Sequence, residues 1–205
     1  MLDYVCCFFV LYFLFDVASE SLETHRKSWF LSFLAAARLS YESLYAIPAI
    51  NFHDAATQAF SSNARADTAC DIFLAFCFCD LVCAAVAYPK DFRVFEGLIH
   101  HVLYSVLILV LKQQEWTCLF WLCTFCEIPT LIMAAGKLWG IKSYLFTVVQ
   151  AVVFCTFRVF LYGAFALSFF LTLSYEHYWW TLPTFSLIIT AHLNWAILLC
   201  KKVCV

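Results

Sequence analysis

The chain has 205 residues, 65% of them hydrophobic and 13% charged, with a formal net charge of -2, whereas a soluble domain carries roughly 45–50% apolar and about 25% charged residues. This composition excludes an ordinary water-soluble globule and predicts an all-α polytopic membrane protein. Basic residues stand singly or in pairs, never as a patch interleaved with aromatics, which excludes nucleic acid as a partner.

Seven apolar segments, at 2–18, 29–50, 69–88, 96–112, 116–138, 143–173 and 182–200, approach the roughly 20 residues that a helix needs to cross hydrocarbon. The first lacks a basic leader and a small-x-small cleavage site before Asp16, so it is expected to be a retained helix, not a signal peptide. The polar stretch 51–68 reads as an exposed connection, with Asp67 or Thr68 capping the third helix. The sixth segment is too long for one perpendicular span and is expected to tilt, to bend near Gly163 or to run past the bilayer.

Alternating the loops places Arg26, Lys27, Lys90, Arg93, Lys137, Lys142, Lys201 and Lys202 on one side, against Arg65 and Lys112 on the other. That bias predicts a lumenal N-terminus and a cytosolic C-terminus. Without the first helix, six spans would leave both ends cytosolic. No internal repeat suggests the inverted halves of a transporter. Cys6, Cys7, Cys70, Cys77, Cys79, Cys83, Cys118, Cys123, Cys126 and Cys155 all fall inside apolar segments and are expected to act as small hydrophobes. Cys123-x-x-Cys126 lacks a second ligand pair, so no metal site is expected.

The polar residues inside these segments carry the functional reading. Asp80 lies about two turns from the end of the third helix, and His100-His101 lie about one turn into the fourth. Glu127, followed by Pro129 and Thr130, is near the middle of the fifth, and Arg158 is near the middle of the sixth. An ionisable group inside a span is a functional-site candidate by default, and groups that converge can pair where scattered ones each bear a burial cost. Adjacent histidines point about 100° apart. His101 is the one expected to reach inward, because Ser105 continues its face. Pro129 removes a donor and frees the Phe125 carbonyl. Thr147, Arg158 and Tyr162 share a face, and Ser186, Thr190 and Asn194 form an i, i+4, i+8 stripe, both reading as cavity lining. His100, His101, Asp80 and Glu127 are thus the candidate catalytic residues, with Arg158, Thr130, Tyr104, Tyr162 and Asn194 binding substrate. The plainer alternative is a network that specifies helix packing. Arg38 and Glu42 are expected to neutralise each other, Asp16 and Asp71 to reach headgroups, and His177 and His192 to be structural.

Cys79-Asp80-Leu81, then His100-His101-Val102-Leu103, then Glu127-Ile128-Pro129-Thr130, then Arg158, and finally Leu193-Asn194-Trp195, together resemble the TLC family (TRAM, Lag and CLN8 homology). The likeness is to its TLC-domain-containing branch more than to its ceramide synthases. It spans 25–202, leaving an N-terminal helix and loop at 1–24 and a tail at 203–205. The resemblance implies six core helices around a central lipid-accessible cavity, an endoplasmic-reticulum location and a role in membrane lipid metabolism.

Ceramide synthases move an acyl group from acyl-CoA to a sphingoid amine. Carried over, His100 or His101 would receive the acyl group or act as general base, with Asp80, Glu127 and Arg158 orienting it or binding substrate. Two features depart from the ceramide-synthase pattern: its two aspartates three apart correspond here to Glu127 and Thr130, and its His-Ala pair after a serine falls on the alanines after Ser32. The expected function is therefore acyl-CoA-dependent acyl transfer to a lipid, with acyl-CoA as cosubstrate and no bound cofactor. The alternative is a non-enzymatic lipid-binding, lipid-sensing or trafficking factor. Membrane lipids are the expected partners in either case.

Overall fold

The structure, a computed structural model, describes residues 1–90 and 94–204, the side chains of 94–96 and 176 apart. Arg93, counted above among the basic residues, and Val205 of the tail lie outside the described residues. The fold is all-α, with no strand among the described residues. Its helices are α1 (Leu2–Ala18), α2 (Phe30–Ala49), α3 (Ala64–Val86), α4 (Gly97–Gln113), α5 (Thr117–Trp139), α6 (Tyr144–Thr172) and α7 (Tyr178–Val203). Four of them, α3, α5, α6 and α7, are long and apolar enough to cross a membrane. The chain thus has the character of a multi-pass membrane protein.

Local chemistry sets the helix ends. The Asn63 side chain accepts from the Ala66 amide at 2.9 Å and caps α3, so the helix starts before Asp67 and Thr68, which the sequence reading had placed at the cap. Asp67 instead accepts from the Thr117 hydroxyl at 2.7 Å, tying α3 to the start of α5. α5 ends on Gly140, whose φ of 66° is left-handed, the usual way to stop a helix while satisfying its last carbonyls. The Arg26 guanidinium takes another of those carbonyls, on Leu138, at 3.0 Å.

The helices run alternately up and down. At one end Asp71 pairs with Lys112 and with the chain's terminal amine, and Trp116 stacks on Trp180 beside Phe60 and His177. At the other end Lys27 pairs with Asp16 at 2.8 Å, and Phe15 stacks on Phe30. Asp16 and Asp71 are therefore held by protein cations. The 51–68 stretch is not simply exposed: its helical turn Ala55–Ala59 buries three alanines against α6, and the Ser168 hydroxyl donates to the Phe52 carbonyl.

α3 packs against α1, α2, α4 and α5, α2 lies along α5, and α7 packs chiefly along α6. Arg38 pairs with Glu42 at 2.5 Å, and Arg65 adds a second guanidinium at 3.2 Å. Long α6 does not break at Gly163. Its irregularity is a π-helical stretch at Cys155–Leu161, the wider turn that often marks functional positions.

Candidate functional site

Two polar networks sit side by side inside the bundle. In the first, Asp80 of α3 and His101 of α4, each only 6% exposed, face each other with Oδ2 and Nδ1 3.4 Å apart. The Tyr88 hydroxyl, from just past the end of α3, donates to the other carboxylate oxygen at 2.6 Å. The Phe76 ring packs edge-on to His101.

The second network joins α5 to α6. Arg158 Nε donates to the Cys126 carbonyl at 2.8 Å, and its terminal nitrogen donates to the Thr130 hydroxyl at 2.6 Å. The same nitrogen lies 3.9 Å from Glu127. α5 tightens to a 3-10 turn at Thr124–Cys126 before restarting at Glu127. The carbonyl that accepts the guanidinium is Cys126's, one residue beyond the Phe125 carbonyl expected to be freed by Pro129. Within the π stretch the Arg158 carbonyl lies 3.1 Å from His192 Nδ1. A carbonyl only accepts, so Nδ1 carries the proton in this contact.

His100 lies between the networks. It is half-buried, its ring centroid 4.6 Å from that of Tyr104 and 5.6 Å from that of His101, and it is within electrostatic reach of Arg158. Successive residues on a helix diverge by about 100°, and that divergence decides the pair. His101, continued by Ile108, faces α3, while His100, continued by Tyr104, faces the Arg158 side. His101, the more buried of the two, thus reaches inward to Asp80 as its face predicts, and His100 is the half-buried member turned toward Arg158.

Tyr162 is buried, stacked on Phe185 and edge-on to His192, and so packs behind the second network. Asn194 is not brought in. Ser186, Thr190 and Asn194 are all exposed on the outer face of α7, while the helix buries Thr181, Phe185, His192 and Ala196. That corrects the reading of the stripe as cavity lining. Thr147, grouped with Arg158 and Tyr162, is half-buried near the start of α6.

Tyr88 was not singled out from sequence. Its only signal is that it stands eight residues after Asp80, about two turns on and roughly on the same face. Two apolar grooves, of about 400 and 390 Å³, lie between α6 and α7; neither is lined by the two networks. Among the described residues no three His, Cys, Asp or Glu side chains gather as a metal-binding set.

No family model, no curated protein and no solved structure matches the chain.

Proposed function

We propose that the chain is a multi-pass membrane protein of lipid metabolism that transfers an acyl group from acyl-CoA to the amine or hydroxyl of a membrane lipid. One observation carries the reading: His100 is the half-buried titratable group between the networks that makes no hydrogen bond or ion pair among the described residues. It is free to take a proton from an acceptor as that acceptor attacks the thioester carbonyl, and to pass it to the departing thiolate. Asp80 and His101 position α4, and Arg158 with Glu127 and Thr130 fixes the α5–α6 wall beside His100. The motif likeness to the TLC family supports the same reading. Seven crossings with the basic end cytosolic, in the endoplasmic reticulum, would let soluble acyl-CoA approach from the side on which α4 begins.

A second reading, lipid binding without turnover, is favoured by the internal saturation of both networks. Arg158 spends its bonds on Cys126 and Thr130, and the Asp80 carboxylate is engaged by Tyr88 and His101. The test incubates the purified chain in lipid discs with labelled acyl-CoA and a panel of amine and hydroxyl lipids. Acyl transfer predicts a labelled lipid and free CoA thiol, with His100→Ala losing about 10²–10⁴-fold in rate while remaining folded. Lipid that co-purifies but is not turned over anywhere in the panel would leave the binding reading in place of the enzyme.

A further inference from the structure

We propose that Cys204 is a site of S-acylation and that its acyl chain lies in the apolar groove between α6 and α7. Both grooves found there share Cys155, Phe160, Cys200 and Cys204. One extends from Lys201 and Cys204 at the end of α7 inward to Leu193 and Val159. From Cys204 to Leu193 is about 16 Å along the helix axis, room for a long-chain acyl group to return into the hydrocarbon.

The thiols at the groove mouth are not equivalent. Cys200 and Cys204 are four apart and share a face of α7. Cys155 is half-buried on the facing wall of the groove. Cys204, the exposed residue just past the last helical turn, is left at the opening.

The surroundings fit an acyl-CoA donor. Lys137, Lys142, Lys201 and Lys202 make no ion pair among the described residues, so this end offers unpaired ammonium groups to the phosphates of CoA and to anionic headgroups. A cysteine beside the membrane is the usual acceptor for reversible acylation. The Cys204 sulfur attacks the thioester carbonyl and a new carbon–sulfur bond forms. The bond to the CoA sulfur breaks, and CoA departs with the proton the cysteine gave up. The attached chain would cover part of α6 and α7, whose most apolar windows are only 11% and 17% buried. The inference rests on the basic end being cytosolic, and not on the acyl-transfer reading.

The test expresses the full chain in eukaryotic cells fed an alkynyl long-chain fatty acid, then measures hydroxylamine-labile label on the purified protein. Cys204→Ser should lose most of the label, while Cys6→Ser and His100→Ala keep it. Leu193→Trp, at the exposed inner end of the groove, should shift incorporation toward a shorter alkynyl chain. Absence of labile label from the wild type, or full label on Cys204→Ser, overturns the site. Loss of label in His100→Ala assigns the adduct to the lipid-transfer chemistry instead, and an unchanged chain preference in Leu193→Trp removes the groove.

Discussion

α3 and α6 are both strongly apolar, with mean hydropathies of 2.2 and 1.9, yet 67% of the α3 window is buried against 11% of the α6 window. Hydropathy therefore did not decide which helix goes inside. Beside Ile72, Phe73, Leu74 and Phe76, the buried face of α3 is rich in small residues. α3 buries Ala66, Ala69, Cys70, Ala75, Cys77, Cys79, Cys83 and Ala84, small residues that let four neighbouring helices approach closely. α6 and α7 present Leu145, Val152, Phe160, Leu167, Leu171 and Leu187 outward, large side chains suited to acyl chains. Polar chemistry follows the same division: Asp80, His101 and Thr130 sit on the packed side, and Arg158 is the residue through which α6 reaches across to it.

Four substitutions test that division. Phe125→Ala, at a fully buried ring on the segment that α2 packs against, should lower stability by about 3–5 kcal/mol, read as unfolding in a denaturing detergent titration. Tyr88→Phe removes the 2.6 Å bond to Asp80 and should cost about 1.5–3 kcal/mol, the worth of a hydrogen bond to a charged group. An unchanged midpoint would mean that the Asp80 carboxylate is served by another donor. Gly136→Ala puts a Cβ 2.3 Å from the Phe146 ring and should cost about 1–3 kcal/mol as α5 and α6 are pushed apart; thermal stability in detergent measures it. Leu187→Ala, 65% exposed on α7, should stay within about 0.5 kcal/mol of wild type. If it costs as much as Phe125→Ala, the outer face of α7 is covered by protein and the contrast between the two regions fails.

The helices were legible in the sequence to within a few residues because each apolar run had to be satisfied by its own backbone hydrogen bonds. Their starts were less so, since Asn63 captures α3 from inside a stretch that reads as loop. Arg38–Glu42 is visible as an i, i+4 pair, but Arg65, 23 residues beyond Glu42, joins it only through folding. The Ser186, Thr190 and Asn194 stripe shows why direction was harder than periodicity. Spacing establishes that the three share a face, yet lipid and protein core are both apolar, so nothing local says which way that face turns. The His100-His101 pair was more legible: their divergence follows from helix geometry and Ser105 marks the inward face of His101, but that Asp80 and Phe76 meet it there emerges only on folding.

The π stretch at Cys155–Leu161 gives α6 two phases. A π turn takes up about one residue more than an α turn, so the half ending at Phe154 and the half beginning at Tyr162 are offset by about 100° from an unbroken helix. Deleting one residue here would return the stretch to a regular α-helix with Phe154 and Phe165, both buried now, still in their present relative phase, whereas keeping every residue and closing the wide turn would rotate one half by about 100° against the other. Moving the wide turn along the chain instead would swing Arg158 off Thr130 while each half kept its own packing. Such a sliding defect needs no hinge and no loop, and it would be read as a change in the spacing of spin labels on α5 and α6 when acyl-CoA is added.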